Sequence, residues 1–349
     1  MQGAPAKTQR AAARANQSRP GLAASSRLST FASHRVSAVS TALEATMSGD
    51  GPVLVVGGTG MLGSQVVADL LSHGKQVRAL VRQGSDATRL EAAGAAIARG
   101  DMMDLGSLIR AMEGADSVIT TAAGYTRHRK GDTPQTDTIG NSNLAEAASR
   151  THVRRFVLTS ILTCDQTPHV PHFWHKKLTE DRLEQLGVPF VALRPGAFLD
   201  QVTRFGGDPF SNGRLTWLGS SRIPLTFVLT ADLAGYLAAA TDSPGIDGQR
   251  IDIGWDRPVS MQEIAEISGR LLRKRIRVRT IPTGLIRAVG TVLGPINPLA
   301  KDMGAMAGWF QSGRYVADTT RQREVFGAVP TAEDAITRLL TSLGHAVRN

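Results

Sequence analysis

The stretch VLVVGGTGMLGS, residues 53–64, decides the fold, because a short apolar run leads directly into glycines that recur at every third position. Residues 53–56 are typical of a strand buried on both faces of a parallel sheet. Apolar residues at helical spacing follow Gly63, and His73-Gly74 ends that segment. The order of strand, glycine turn and helix predicts the first half of a β-α-β unit.

Each glycine of this corner has a physical use. Gly57 permits a tight turn, Gly60 lets the backbone approach a pyrophosphate, and Gly63 lets the helix pack closely on the strand. The helix start also offers unpaired N–H groups and the positive end of the helix dipole, which favour a phosphate. A chance spacing among the 36 glycines of the chain would not explain the strand and helix on either side. The corner therefore predicts a dinucleotide site.

The composition is that of a folded domain without disulfides. The chain has 349 residues and 42% hydrophobic content, enough to bury one large core, or one core plus a smaller lobe. Cys164 is the single cysteine, which excludes an internal disulfide and is typical of a reducing compartment. The most apolar stretch, residues 281–300, is broken by Arg287, several glycines and three prolines. No transmembrane segment is therefore expected.

Half of the net charge of +10 lies in the first 49 residues, which hold six Lys and Arg against one acid, Glu44. A basic, Ser-rich tail is typical of an organelle transit peptide. The alternative is a nonfunctional extension that precedes a start at Met47. Both interpretations place residues 1–49 outside the fold, as a targeting or disordered segment; the first predicts an organelle stroma or matrix, the second the cytoplasm. Because the excess charge sits largely in this tail, no nucleic-acid partner is expected.

Strands and helices alternate from the glycine corner to Gly196, which predicts a doubly wound parallel sheet, an α/β Rossmann-like domain over residues 50–196. The apolar patterns predict strands at 76–81, 117–121, 155–160 and 189–193, a weak strand ending at Asp101, and helices at 86–93, 105–112, 137–149 and 172–186.

After Gly196 the alternation fails, and residues 197–345 are expected to form a smaller α+β lobe, interleaved with the main domain, that contacts the substrate. The patterns there predict helices at 231–240 and 260–272, strands at 250–253 and 276–280, and a helical C-terminus. Ser260 and Glu263 form a plausible capping box for the second of these helices.

Seven motifs in the same order give the sequence its resemblance to the atypical short-chain dehydrogenase/reductases, and in particular to the NmrA-like NAD(P)-binding family. They span roughly residues 53–254, with a looser match through Leu340: GGTGMLG, GDMMDLGSL, TTAAG, DTIGNSNLAEAA, RFVLTS, KLTEDRLEQLGVPFVALRPGAFLD and TADLAGYLAAAT. Each motif is weak alone, and the set is specific.

In this family the residue after the second strand contacts the adenosine ribose. Here it is Arg82, and an arginine favours a 2′-phosphate, whereas an acid would accept hydrogen bonds from a free 2′-hydroxyl. NADP(H) is therefore favoured, with NAD(H) the alternative if Arg82 is only a solvated residue at a strand end. The resemblance implies these cofactor contacts: Gly57, Thr59, Gly60, Met61, Leu62, Gly63, Arg82, Asp101, Met102, Ala122, Ala123 and Lys176.

The family's usual catalytic set is a Ser or Thr after the fifth strand and Tyr-x-x-x-Lys on the next helix. Ser160 and Lys176 match this pattern, but His172 stands where the tyrosine belongs, and shifting the register by one gives Phe173 and Lys177. The three tyrosines of the chain lie elsewhere: Tyr125, Tyr236 and Tyr315.

The resemblance implies catalytic roles for Lys176, His172 and Ser160, each with an alternative. His172 has a side chain that titrates near neutral pH and is a candidate acid, or it belongs to a polar rim. The Ser160 hydroxyl holds the substrate oxygen or caps nearby backbone. Lys176 is expected to contact the cofactor ribose.

The sequence leaves the roles of two further groups of residues open and argues against a metal site at a third. The basic loop 127–130 either binds an acidic group or is solvated. Trp217 and the pair Trp309-Phe310 line a substrate cavity or close the core of the lobe. No cysteine or carboxylate completes a metal site with the three histidines of residues 169–175, so no metal is expected.

Two functions remain open at this point. The first is an NADP(H)-dependent oxidoreductase that reduces a carbonyl, enone or quinone, a small-molecule substrate, by hydride transfer. The alternative is a non-catalytic NAD(P)-binding redox sensor that acts on a protein partner. The missing tyrosine favours the sensor, whereas the aromatic C-terminal lobe favours the enzyme. A homodimer is possible in either case.

Overall fold

The computed structural model describes residues 51–124, 133–202, 208–284, 298–327 and 329–347. The tail at residues 1–49 and the basic loop 127–130 lie outside the described residues, so the predictions made for them stay predictions.

Strand formation follows the apolar runs of the sequence. The strands are β1 (Val53–Val56), β2 (Val77–Val81), β3 (Ala96–Arg99), β4 (Ser117–Thr120), β5 (Arg155–Thr159), β6 (Phe190–Pro195), β7 (Ala197–Phe198), β8 (Arg214–Leu218), β9 (Phe227–Val228), β10 (Gln249–Ile253) and β11 (Arg277–Ile281).

Seven of these strands form one parallel sheet in the order β10-β6-β5-β4-β1-β2-β3. The central strands β1, β4, β5 and β6 are buried along their whole length, as expected for strands covered on both faces. The predicted α/β doubly wound fold is therefore confirmed. Two smaller parallel pairs, β8 with β11 and β7 with β9, lie outside this sheet.

Helices connect and cover the strands. In chain order, the described helices are α1 (Met61–Ser72), α2 (Thr88–Ala92), α3 (Leu105–Met112), a π-helix (Thr133–Gly140), α4 (Asn141–Thr151), a 3₁₀ turn (Cys164–Gln166), α5 (Pro171–Gln185), α6 (Leu199–Val202), α7 (Thr230–Ala239), α8 (Met261–Leu271), α9 (Pro298–Phe310), α10 (Thr320–Phe326) and α11 (Ala332–Ser342).

Local capping explains where several helices begin. The carboxylate of Asp104 accepts a hydrogen bond from the Gly106 amide at the start of α3. The Ser260 hydroxyl accepts from the Glu263 amide at the start of α8, which is one half of the predicted capping box, while the Glu263 carboxylate binds Arg257 at 2.6 Å.

The core has three parts. One face of the sheet packs α1 and α7 through residues such as Val67 and Leu237, and the other packs α3, α4 and α5 through residues such as Leu108, Leu144 and Leu183. A separate aromatic-rich cluster holds β8, β9, α8, α9 and α11 together. The sheet is thus covered on both sides, and the carboxyl ends of its strands remain for binding.

The alternation extends further than the sequence predicted. Helix α7 and strand β10 continue it, and β10 pairs in parallel with β6 at the sheet edge, whereas the alternation was expected to end at Gly196. The polar residues of β10, such as Arg250 and Asp252, are only half-buried because the strand is an edge strand, and its pattern is therefore less apolar than that of the central strands.

No helix in the described ranges is long and apolar enough to cross a bilayer.

Candidate cofactor and active site

The glycine corner has no room for side chains, so the backbone is left uncovered there. Gly57 has a φ of +89°, a conformation that favours glycine. A Cβ added at Gly63 would lie 2.1 Å from the Gly57 carbonyl oxygen, and one added at Gly57 would lie 2.7 Å from Thr121 Oγ1. Side chains are therefore excluded where α1 meets β1, as predicted from the spacing.

The start of α1 is exposed and offers donors. Thr59, Gly60 and Met61 are exposed, and Leu62 is half-buried. Gly60 is the N-cap residue, and no side chain caps the helix or places an acid in its first turn. The first amides of this 12-residue helix therefore face no capping acceptor, which suits an anion.

Arg82 follows β2 directly and is exposed, as the sequence predicted. Within the described part of the chain its guanidinium has no ion-pair or hydrogen-bond partner. Its backbone oxygen accepts a hydrogen bond from Arg99, which also donates to the Ser85 carbonyl at 2.8 Å and so holds the loop. A free guanidinium on a loop fixed in this way is suited to a phosphate.

The loop after β3 is fixed by its own polar groups. The Asp101 carboxylate accepts from the Met103 amide at 2.9 Å, and the Met102 carbonyl accepts from the Asn143 side chain at 2.9 Å. Asn143 lies on α4, so this loop is tied to the neighbouring helix. Asp101 is exposed and Met102 half-buried, and both remain candidates for the adenine end of a cofactor.

Lys176 connects α5 to the end of β4. Its ammonium donates to the Ala122 carbonyl at 3.3 Å, while the side chain is buried. Burial lowers the pKa of Lys176, and the nearby carboxylate of Asp137 acts in the opposite direction. Ala122 and Ala123 are half-buried, so the structure brings three of the predicted cofactor residues together.

Asp137, on the π-helix, was missed by the sequence reasoning. It is 1% exposed, and its Oδ1 accepts from the Gly124 amide at 2.9 Å. Among the residues that the structure describes, its Oδ2 has no hydrogen-bond partner, and neither has Oδ1 of Asn141, one turn further along. Buried acceptors without donors are uncommon and costly, so this end of β4 is set to accept hydrogen bonds. A π-helix is itself often found at functional sites.

His172 is buried and paired, not part of a polar rim. Its Nδ1 lies 2.7 Å from Oδ2 of Asp302 on α9, and both side chains are nearly inaccessible. The other carboxylate oxygen, Oδ1 of Asp302, has no hydrogen-bond partner in the described part of the chain. The sequence reasoning missed Asp302, because it lies 130 residues further along the chain. A carboxylate at Nδ1 fixes the orientation and tautomer of an imidazole.

Ser160 lies in a different environment. Its hydroxyl donates to Oε1 of Glu180 at 2.6 Å, and Glu180 is fully buried. Arg194 donates to both oxygens of the same carboxylate, at 3.0 and 2.6 Å, and also to Asp165. Burial raises the pKa of the adjacent Cys164 thiol to about 12. The Ser160 hydroxyl is therefore held in a buried ion-pair network, which differs from both roles considered from sequence.

A second histidine of α5 was also missed. Nδ1 of His175 lies 2.5 Å from Thr138 Oγ1 on the π-helix, and burial lowers the pKa of His175. This contact ties α5 to the segment that carries Asp137. Among the described residues, no group of three or more His, Cys, Asp or Glu side chains is arranged to hold a metal ion.

The aromatic residues close the core of the lobe. Trp217 and Trp309 are both buried in the aromatic-rich cluster, and the Trp309 indole donates to Thr163 Oγ1 at 2.9 Å. Phe310 packs against Tyr315 with ring centroids 4.7 Å apart. Of the two alternatives left open for the tryptophans, the structure places them in the core.

The family model described as "NmrA-like family" matches residues 49–332. The chain belongs to the NmrA-like family. The match covers most of the sheet domain and the lobe, so the resemblance seen in the seven motifs is confirmed.

Similar proteins have different named functions. Photosystem II assembly factor Ycf39 of Synechocystis sp. is 28% identical over 238 residues, covering 67% of this chain and 72% of the relative. An NAD(P)H azoreductase of Xenophilus azovorans is 26% identical, covering 72% and 84%. The solved triphenylmethane reductase of Citrobacter sp. in complex with NADP(H) has a TM-score of 0.67 at 18% identity, covering 82% and 100%. The chain thus has the fold of NAD(P)-binding reductases.

Proposed function

We propose that this NmrA-like protein is an NADP(H)-dependent oxidoreductase that transfers hydride to a carbonyl, an enone or a quinone. The observation that carries the proposal is the combination of a side-chain-free corner at Gly57 and Gly63 with the unpartnered guanidinium of Arg82. The first suits a pyrophosphate and the second a 2′-phosphate, which NADP(H) carries together.

The residues present fit this cofactor. A Cβ at Gly63 would collide with the Gly57 carbonyl, so the corner keeps its backbone accessible only with glycine. The first turn of α1 supplies amide donors, and the buried Oδ2 of Asp137 supplies an acceptor without a donor at the other end of the site. When bound, NADPH would supply the hydride.

The remaining chemistry belongs to side chains on α5. Lys176, held by the Ala122 carbonyl, is assigned to orient the cofactor ribose. His172 is assigned to give the proton to the substrate oxygen, since it occupies the position of the family's tyrosine and Asp302 holds its ring. Ser160 is assigned to the buried network of Glu180, not to the substrate.

The test is the oxidation of NADPH by the full chain in the presence of quinones, enones and aldehydes, followed at the nicotinamide absorbance band. We expect turnover with at least one class, and none in a Gly60→Asp variant, whose carboxylate would occupy and negatively charge the pyrophosphate position. His172→Gln, which keeps a polar side chain, should bind NADPH as the parent does and turn over about 100-fold more slowly. Equal turnover in that variant would remove His172 from the mechanism.

A second function, a non-catalytic NAD(P)-binding protein that acts on a partner, is favoured by one observation. Of the family's Ser, Tyr and Lys set, only Lys176 has the expected surroundings, because the Ser160 hydroxyl is committed to Glu180 and position 172 is a histidine. The assembly-factor name of Ycf39 supports the same alternative. Tight NADPH binding without oxidation by any acceptor of the panel would favour this second function.

A further inference from the structure

An exposed two-stranded sheet outside the cofactor site carries a concentration of arginines. β8 and β11 pair in parallel, with Arg277 opposite Arg214 and Arg279 opposite Thr216. These residues are exposed, whereas Leu215 and Trp217, which alternate with them on β8, are buried in the lobe core. The pleat therefore places the arginines together on the outer surface, about 5 Å apart across the strands and about 7 Å along them.

Two further exposed arginines, Arg273 and Arg275, immediately precede β11. With Arg214, Arg277 and Arg279 they make up what we call the arginine face. In the described part of the chain, none of these five guanidiniums forms an ion pair or a hydrogen bond.

The neighbouring Lys274 shows the contrast. Its ammonium donates to the carbonyls of Phe210 and Ser211, and so it holds a loop. The arginines on either side of it have no such structural use. Five like charges held close together repel one another, and no ion pair within the described ranges offsets that cost. Their charge is therefore available to a partner outside the chain.

The composition of the face distinguishes between anionic partners. Protein interfaces have an apolar or aromatic centre, and single-stranded nucleic acids are bound by stacking on aromatic rings. The described exposed large apolar residues all lie elsewhere, and no aromatic side chain is exposed on the arginine face. In sequence the face precedes residues 282–300, in which Arg287 is the only charged residue.

We infer that the arginine face binds the surface of an anionic lipid bilayer, so that the protein associates peripherally with membranes while its cofactor site remains in the aqueous phase. Clusters of four to eight basic residues bind anionic headgroups in this way, and each contributes about fivefold to the affinity. The inference is independent of the reaction proposed above, because none of the five arginines belongs to that site.

The test compares vesicles of phosphatidylcholine with vesicles that contain about one third phosphatidylglycerol, in a sedimentation assay with the full chain at low salt. We expect binding to the anionic vesicles only, and weaker binding as salt is raised. The variant Arg277→Glu/Arg279→Glu should bind at least about 25-fold more weakly, from the contribution of two arginines.

The control is Arg222→Glu/Arg323→Glu, which changes the net charge equally at two exposed arginines outside the face. It should retain binding within about threefold, since neither arginine belongs to the arginine face. Unchanged thermal unfolding of both variants ensures that folding is not the cause. An equal loss in both variants, or none in the face variant, would overturn the inference, because the basic tail would then account for the binding. Tighter binding of a 20-nucleotide DNA than of the vesicles, lost in the face variant, would assign the face to nucleic acid instead.

Discussion

Two buried carboxylates, Glu180 on α5 and Asp302 on α9, differ in how completely their oxygens are satisfied. Glu180 accepts hydrogen bonds from Ser160, from two nitrogens of Arg194 and from Arg250, and both of its oxygens are used. Asp302 uses one oxygen for His172, and its other oxygen has no partner within the residues described. Glu180 therefore stabilises the fold. Asp302 keeps an oxygen that can accept a hydrogen bond from a ligand or water, and a buried acceptor without a donor is unfavourable for folding.

Removing the charge of the satisfied carboxylate should have the largest effect. We expect Glu180→Gln to lower the free energy of unfolding by about 3–5 kcal/mol, because Arg194 and Arg250 lose the buried carboxylate that they share and keep only the more exposed Asp165 and Glu184. Urea unfolding measures the loss. The matched control is Glu184→Gln, which removes an exposed partner of the same Arg250 and should cost less than about 1 kcal/mol. If the two variants are equally stable, the Glu180 network is not a stabilising feature.

Two arginines differ in the same way. Arg194 forms ion pairs with Asp165 and Glu180, whereas Arg82 has no ion-pair partner among the described residues. Arg82→Asp should leave the unfolding free energy within about 0.5 kcal/mol, as for a surface change. It should weaken NADPH binding by about 10- to 100-fold, the value of a charge-assisted pair with a 2′-phosphate, while NADH binding is unchanged or improved. Dissociation constants for both cofactors decide the matter, with Arg323→Asp as the control. A parent protein that already prefers NADH would contradict the role of Arg82.

Asp252 is a half-buried carboxylate whose contribution to the free energy of unfolding depends on pH. Burial raises its pKa to about 6, although it accepts a hydrogen bond from the Asp318 amide. The folded state therefore holds this proton more tightly than the unfolded chain, so the stability that the protonated form provides is present below about pH 4 and is lost as pH rises through 6.

Asp252→Asn should remove this dependence. Between pH 4 and pH 7 the parent should lose about 2 kcal/mol relative to the variant, a figure reduced for partial exposure. Thermal unfolding of both proteins across that range measures the difference. Parallel pH profiles would show that Asp252 titrates normally.

Among the buried carboxylates, the smallest effect on stability is expected at Asp302. Asp302→Asn should change the free energy of unfolding by less than about 1 kcal/mol, because an amide of the same shape keeps the contact with His172 and one oxygen was already unpartnered. The proposed function adds a second readout, since the rate of NADPH oxidation should fall while NADPH affinity does not. A loss of stability as large as that of Glu180→Gln would erase the distinction between the two carboxylates.

The parts of the molecule that could be predicted from sequence are those with local patterns. The glycine corner is defined by neighbours in the chain, so its turn, its helix and its close packing at Gly63 were all predictable. The central strands were predictable because burial on both faces requires continuous apolar runs. Strand β10 was recognised, but not its place in the sheet, since an edge strand is less apolar and pairing is not encoded locally.

The candidate site was less predictable for the same reason. Lys176 and His172 belong to a recognisable spacing on one helix. Asp302 comes from another element and belongs to no motif, and Asp137 begins the motif DTIGNSNLAEAA, which assigns it no role. The role of Ser160 depends on Glu180, which the sequence reasoning used only to set a register. Whether a hydroxyl or carboxylate is already satisfied is a property of the folded surroundings, and no local pattern reports it.

The packing of α7 on α1 has a consequence for synthesis of the protein on the ribosome. Val66, Val67 and Leu70 of α1 are covered by Leu233 and its neighbours on α7, which are translated only after six strands of the sheet have been made. A nascent or truncated chain that ends before Thr230 would therefore expose an apolar helix face beside a nucleotide corner that is otherwise complete. Such a chain is a natural client for a chaperone, because exposed apolar surface promotes aggregation.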